Sequence, residues 1–576
     1  MHLSTILTFS LLGIAWLIPN HYLPWPVFWS DLFAAIAFAG ILVKSLIEAK
    51  AKPKVPLIAM GALLLSLVPV MQWSFGQIYF AGDAWMASLY LLGFGLAAAC
   101  PAIAPRTLRE TLGALAWTVM LTALISVGLA LCQWLSLDYL GLFLMSLPPD
   151  GRPYANLAQP NQLATLLMLG VVSAYALYQF HKLNAFSLGW VISLLCFGVA
   201  MTQSRTAWLE MGGLVVWMLV MRDRAALRIN RSGILAMALL FSFFVAMWPT
   251  LCEVLYLTPG RTLQGQFEGD LRGQLWSSML DAIIREPWFG YGWNQVSVAQ
   301  AHVAIDHPAT GVMIEHSHNI ALDLLVWNGL PLGLLIIAGL AFWFWQHIRA
   351  CRDSTITLLL GGIGVVMVHG MLEFPHEYAY FLLPIGFMMG AVELLSPAGR
   401  FVAMPKAFMA SLAALAVGLL VWTAIEYMSV EENYRQLRFE LAGFGSSRTE
   451  EQVYDIVLLS QLREFPQFAR TEAKRNMSRE QLDKMRKMAE RYGFPPVLFR
   501  YALAAGLNGE PGVAENELAL LCKVHPKERC VEGIEAWKAM AAGPYPELRA
   551  VVRLPALPIG GASRVQSGAE GARSAE

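Results

Sequence analysis

Long apolar runs separated by short polar connections organise most of this chain. They fall at about 3–19, 27–43, 55–71, 84–104, 111–136, 162–180, 184–202, 206–221, 232–250, 319–346, 354–371, 378–396 and 407–427. As helices they approach or exceed the length needed to cross a hydrocarbon core of roughly 30 Å, so the pattern predicts about thirteen transmembrane helices. Two polar stretches interrupt the rhythm, one at 137–161 and a longer one at 251–318. From about residue 428 onward, charged residues are interleaved with Leu, Val and Ala at helical spacing, as in a soluble helical domain. Within it, 495–526 predicts two helices around Asn508-Gly509-Glu510-Pro511, with Pro511 suited to the first turn of the second.

The expected class is an all-α, polytopic helical membrane protein with a C-terminal helical domain outside the membrane. Its expected parts are N-terminal transmembrane helices at 1–130, a membrane core at 131–427 that carries the loop 251–318, the helical domain at 428–555 with one tetratricopeptide-like hairpin, and a disordered Gly-, Ala-, Ser- and Arg-rich tail at 556–576. Composition agrees with a membrane chain: 57% of the 576 residues are hydrophobic and 14% charged, against about a quarter charged in soluble proteins. Formal net charge is zero, which leaves no electrostatic footprint for nucleic acid. The first run lacks a basic leader and a small-x-small cleavage site, so it is expected to remain as a helix rather than to be removed.

Lys and Arg set the expected orientation. Lys44, Lys50, Lys52, Lys54, Arg106, Arg109, Lys182, Arg222, Arg224, Arg228, Arg231, Arg349, Arg352, Arg400 and Lys406 lie in connections of one parity. Arg152, Arg205, Arg261, Arg272 and Arg285 lie in the other. Cytoplasmic loops carry the excess, so the N-terminus is expected in the cytoplasm. The loops 137–161, 203–205, 251–318 and 372–377, with everything after 427, are then expected outside. Cys100, Cys132, Cys196 and Cys351 fall in or beside apolar runs and no Cys/His metal spacing occurs, so no metal site or cofactor is expected. Cys522 and Cys530 can pair in an oxidising compartment; two free thiols are the alternative.

Four outward constellations carry candidate chemistry. Arg152, Asn156, Gln159 and Asn161 lie in the turn-rich Gly151-Arg152-Pro153-Tyr154-Ala155-Asn156-Leu157-Ala158-Gln159-Pro160-Asn161-Gln162, which can hold a sugar or anion, or can simply start a helix with Asn161 as N-cap. Gln203-Ser204-Arg205-Thr206 sets a guanidinium at the membrane edge, either for a phosphate or as an idle snorkelling side chain. In the long loop, 271–285 reads as an interfacial helix carrying Arg272. Beyond it, Glu315-His316-Ser317-His318-Asn319 precedes an apolar run, where imidazoles need partners or a wet cavity. His369 and Glu373, four residues apart, are expected on one helix face, as a reactive or a structural pair. No phosphate-binding loop, dinucleotide fingerprint or hydrolase elbow is present.

Taken together, these residues resemble the O-antigen ligase and polymerase superfamily, and most closely the bacterial protein O-oligosaccharyltransferases of the PglL type. The resemblance rests on Gln203-Ser204-Arg205-Thr206-Ala207-Trp208, on Arg272 with Leu275-Trp276 and the turn from Pro287 to Gly292, and on His318-Asn319 with Leu322, Asn328-Gly329 and Gly333. Asn156-Leu157-Ala158-Gln159-Pro160-Asn161-Gln162 resembles the protein-glycosylating signature, which often has His where this chain has Gln162. Glu373-Phe374-Pro375 and Tyr380-Phe381-Leu382-Leu383-Pro384 resemble the start of that branch's C-terminal region.

The resemblance implies metal-independent transfer of a preassembled oligosaccharide from undecaprenyl diphosphate to Ser or Thr hydroxyls of an exported protein, such as a pilin, at the periplasmic face of the bacterial inner membrane. It implies that His318 activates the acceptor while Arg205 and Arg272 hold the diphosphate. Arg152, Asn156, Gln159, Asn161, Gln203, His316, Asn319, His369, Glu373 and Tyr380 are expected to bind substrate. The competing readings are an O-antigen ligase acting on lipid A core, an O-antigen polymerase, and a polysaccharide transporter or flippase; midplane polar sites and internal repeats, usual in transporters, are not evident here.

Overall fold

Each of the thirteen apolar runs forms a helix or a pair of successive helices. The computed structural model describes residues 3–49, 52–148, 151–157, 159–257, 271–443 and 455–555; the tail at 556–576 and Arg261 lie outside them. In chain order the membrane runs are α1 (Leu3–Leu17), α2 (Phe28–Glu48), α3 (Leu57–Leu65), α4 (Val68–Ser74), α5 (Ala81–Ile103), α6 (Leu108–Trp134), α7 (Pro160–Gln179), α8 (Ala185–Met201), α9 (Arg205–Met221) and α10 (Arg231–Val254). Two polar-loop helices follow, α11 (Arg272–Arg285) and α12 (Val296–Val303). Then come α13 (Ile320–Ala350), α14 (Ser354–Gly370), α15 (Ala379–Leu395) and α16 (Lys406–Leu441). Among the described residues, eight helical stretches are long and apolar enough to cross a membrane. The chain is an all-α, multi-pass membrane protein; among the described residues one small sheet pairs β1 (Lys54–Pro56) with β2 (Phe401–Ala403).

Local sequence explains where these helices begin. Asn184, Ser204, Asn230, Asn319 and Asp353 cap α8, α9, α10, α13 and α14, each accepting a backbone N–H from the second or third residue of the helix. Two runs depart from a single straight helix. The third divides into α3 and α4, with Pro69 in the first turn of α4. The tenth, α13, is interrupted at Gly329, whose φ is 69°. There the Pro287 to Gly292 turn packs against the break: Tyr291 N–H donates to the Val326 carbonyl at 2.8 Å and Leu330 N–H to that of Pro287 at 2.7 Å. A Cβ on Gly290 would lie 2.4 Å from the Val326 carbonyl oxygen, and one on Gly329 would lie 2.6 Å from Trp288 backbone. These glycines permit two backbones to touch.

The core packs α5 on α15, α6 on α7, and α14 on both α7 and α9. The starts of α7, α9, α13 and α15 and the end of α14 carry the polar residues described below.

The chain divides into two compact units, 1–296 with 315–467, and 297–314 with 468 onward. Residues 428–443 and 455–467 group with the membrane helices, and 297–314 of the long loop with the C-terminal helices. The second unit contains α18 (Arg479–Arg491), α19 (Pro495–Leu507), α20 (Pro511–Val524) and α21 (Lys527–Ala542), preceded by α17 (Ser460–Arg470) at the junction. A capping box between Ser478 and Gln481 starts α18. The expected hairpin is α19 with α20, and a Cys522–Cys530 disulfide ties α20 to α21. The inserted segment is held by backbone bonds from Thr310 and Gly311 to the Lys523 carbonyl, by Lys523 Nζ donating to the His307 carbonyl, and by Ser297 Oγ donating to that of Arg491.

Candidate active site

Glu373 is the residue on which the candidate site converges. It lies just beyond α14, in the short connection to α15, and is buried. One carboxylate oxygen, Oε1, accepts from Arg272 at 2.8 Å and from Asn161 Nδ2 at 3.2 Å; the other, Oε2, lies 2.8 Å from His318 Nδ1. Burial pushes this carboxyl up, but the hydrogen bond from His318 and the charges of His318 and Arg272 outweigh it, leaving Glu373 below its ordinary value. An ionised carboxylate can only accept, so the His318 ring carries a proton on Nδ1. In the neutral ring Nε2 is then the basic nitrogen.

The backbone presents His318 in a constrained way. Its φ is 58°, a left-handed conformation that costs about 1–3 kcal/mol and persists only where the surroundings impose it. Here they do. Ser317 N–H donates to Asp323 Oδ1 at 2.8 Å, the Ser317 carbonyl accepts from Trp276 at 3.0 Å, and Ser317 Oγ donates to the Asn319 carbonyl at 3.0 Å. Asn319 caps α13 through Oδ1 and donates through Nδ2 to the Met371 carbonyl. The His318 ring meets Phe374 edge-on at 5.3 Å.

Arg272 is the first residue of α11, whose Leu275, Ser278, Met279, Ala282 and Ile283 form the buried face. Asn161 is in the first turn of α7, not at its N-cap, which is Gln159. This frees the Asn161 amide to join Glu373 on one side and to accept from Ser204 Oγ at 2.7 Å on the other. Ser204 caps α9, so Arg205 starts that helix beside the same network. Arg152 Nε donates to the Thr202 carbonyl at 3.0 Å, tying the 151–157 turn to the connection that holds Gln203, itself buried with φ of 50°.

Other expected substrate contacts are occupied within the protein. Asn156 is 2% exposed; its amide donates to the Leu17 and Phe143 carbonyls and accepts from Met145 N–H, so it organises a loop. Tyr380 is fully buried and donates to Gln162 Oε1 at 2.7 Å. His316 stacks on Phe374 at 4.6 Å. His369 and Glu373 do not join side chains: His369 is 0% exposed and faces Thr165 Oγ1 at 2.8 Å. Burial lowers His376, in the same connection as Glu373, to about 3, keeping it neutral. Among the described residues no three His, Cys, Asp or Glu side chains are grouped to hold a metal ion. Asp323 was not among the residues expected at the site, and Ser204 and Trp276 were named only within the motifs around Arg205 and Arg272. Ser204 had a signal as the cap of a helix start, and Asp323 as an acid inside an apolar run.

The site thus joins an imidazole, a guanidinium and an amide through one buried carboxylate on a multi-pass helical bundle. Residues 190–338 match the family model described as O-Antigen ligase, 153–178 that described as Protein glycosylation ligase, and 357–537 that described as Virulence factor membrane-bound polymerase, C-terminal. Over 555 residues, 94% of its length, the chain is 30% identical to a General O-oligosaccharyltransferase of Acinetobacter baylyi, covering 95% of that protein. It is 27% identical over 394 residues to a ComP-specific O-oligosaccharyltransferase of the same organism, covering 66% of this chain and 69% of that one. The class is thus that of membrane glycosyltransferases of the O-antigen ligase superfamily. Within that class, the chain belongs to the O-oligosaccharyltransferase family.

Proposed function

We propose that this enzyme transfers a preassembled oligosaccharide en bloc from undecaprenyl diphosphate to Ser or Thr hydroxyls of exported proteins, at the periplasmic face of a bacterial inner membrane. The observation that carries this reading is the shared carboxylate of Glu373, bonded to His318 on one oxygen and to Arg272 on the other. His318 Nε2 takes the proton of the acceptor hydroxyl as that oxygen attacks the anomeric carbon. The bond from that carbon to the diphosphate oxygen breaks, and the electron pair leaves with the diphosphate. Glu373 orients the imidazole and stabilises the imidazolium that forms. Arg205 and Arg272 meet the charge that grows on the leaving group. Because Arg272 already pairs with Glu373, an arriving diphosphate competes for its guanidinium, coupling donor arrival to the carboxylate that holds the base. Arg152, Gln159, Asn161 and Gln203 border the donor side.

The expected orientation supports the periplasmic assignment, since the lysine and arginine bias puts the site's loops opposite the basic connections. The Cys522–Cys530 pair supports it as well, because disulfides persist in oxidising compartments. No nucleotide is needed there, since the diphosphate linkage is already activated. The matches to ligase and polymerase families favour a second reading, with lipid A core or a growing glycan as acceptor. Purified enzyme in liposomes, given a polyprenyl-diphosphate oligosaccharide and either a Ser/Thr-containing exported protein or lipid A core, separates the two. Glycan on the protein supports the proposal; glycan only on the lipid, or glycan-to-glycan extension, overturns it.

A further inference from the structure

Beneath the Glu373 cluster lies a second polar layer that the transfer chemistry does not use. Glu210 on α9, Thr165 on α7 and His369 on α14 are 1%, 0% and 0% exposed. Thr165 Oγ1 donates to Glu210 Oε1 at 2.6 Å and lies 2.8 Å from His369 Nδ1. A hydroxyl has one proton, so with that proton on Glu210 its oxygen accepts from His369 Nδ1–H. The far atoms of this chain, Glu210 Oε2 and His369 Nε2, are buried without a hydrogen-bond partner. Such groups are expensive inside an apolar bundle, and in a membrane helix they point to function rather than packing.

The two layers are built on the same three helices. Asn161 and Thr165 are four residues apart on α7. Ser204 and Arg205 begin α9, with Glu210 on the second turn. Glu373 N–H donates to the His369 carbonyl at 2.8 Å, so the connection that carries Glu373 is bonded directly to the lower layer. The upper layer joins Ser204, Asn161 and Glu373 side chain to side chain. A shift of α9 against α7 would therefore part Ser204 from Asn161, and a shift of α7 against α14 would part Asn161 from the carboxylate that orients His318.

We propose that Glu210 is a positioning residue for the transfer reaction, acting through Thr165 and His369 to hold α9, α7 and α14 in register beneath the Glu373 cluster. The inference rests on the reading of His318 as the base. It does not place Glu210 in contact with substrate.

The test compares full-length Glu210→Leu, Glu210→Gln and Thr165→Val with the unaltered enzyme in liposomes, using a polyprenyl-diphosphate oligosaccharide and an acceptor protein. Glu210→Leu and Thr165→Val should lower kcat by roughly 10- to 100-fold, the scale on which small misplacement acts, while KM for the donor stays within about twofold. The double variant should be no worse than the worse single one, because both break one network. Glu210→Gln should recover kcat to within about threefold, since its amide oxygen still accepts from Thr165. Normal kcat per folded molecule in Glu210→Leu or, should that variant fail to fold, in Thr165→Val overturns the proposal. So does a loss that follows only the folded fraction. His318→Ala, run beside them, separates the two ideas: if it stays active the reading of the site fails, whereas an inactive His318→Ala beside a fully active Glu210→Leu rejects the positioning role alone.

Discussion

His318 Nδ1 sits 2.8 Å from Glu373 Oε2, across 55 residues of sequence, and this contact decides which ring nitrogen can act as a base. Replacing Glu373 with Gln keeps the shape but removes the charge that, in the proposed mechanism, fixes the tautomer and stabilises the imidazolium. The expected result is a fall in kcat of roughly 10²-fold or more, with membrane insertion unchanged, read as glycan transfer per folded molecule.

The same carboxylate gives a pH signature with a definite sign. Its value is lowered on folding, so its stabilising contribution is complete above the unfolded carboxylate range near about 4.3 and is lost as pH falls through the lower folded value. The gap in melting temperature between the unaltered chain and Glu373→Gln should be constant at neutral pH. It should narrow only in acid. A gap that already closes between neutrality and mild acid would contradict this account of the site's charge.

Arg205 and Arg272 test the leaving-group role. Lysine preserves charge but not the planar fork that grips two phosphate oxygens. Arg205→Lys and Arg272→Lys should each lose most activity even at saturating donor; near-normal turnover in either would remove that arginine from the diphosphate site.

Glu517 in α20 makes an opposite prediction in the C-terminal unit. Its Oε2 is buried without a partner, and burial, aided by Glu490, raises it to about 8. A raised acid stabilises the fold while protonated, and that advantage is lost as pH climbs from the ordinary carboxylate range toward the folded value. Glu517→Gln should therefore raise the melting temperature of this unit more at pH 8 than at pH 5. An equal effect at both would show that Glu517 is not held neutral.

The Cys522–Cys530 bond closes a short loop, a restraint of about 2–3 kcal/mol in the chain-entropy account. Replacing both cysteines with Ser should make 468–555 more sensitive to protease without altering insertion. Thiol labelling of protein taken from unperturbed cells should find these two sulfurs blocked; free thiols there would contradict a periplasmic location.

Much of this architecture is legible in the chain because apolar length is a local property: all thirteen runs became helices, and 495–526 became the hairpin around Asn508 and Pro511. What local pattern does not carry is which distant groups meet. Glu373 was visible as a polar residue four positions after His369, yet it turns from His369 toward Arg272 and His318, since the helix ends between them at Gly370. Pro160 starts α7 two residues earlier than an Asn161 cap would allow, which released Asn161 for the site. The segment 297–314 reads as loop because its partners, Lys523 and Arg491, lie some two hundred residues away. The turn at Gly290 explains itself only once the break at Gly329 is placed against it.

Activation of a protein hydroxyl by His318, oriented by Glu373, is tested by intact-mass analysis of exported proteins from cells that make a lipid-linked oligosaccharide, with this chain present, absent, or carrying His318→Ala at equal membrane levels. A glycan-sized mass on Ser/Thr peptides that needs the chain and vanishes with His318→Ala is the predicted result. Retained glycosylation by His318→Ala, or unmodified proteins beside altered lipopolysaccharide, would contradict it.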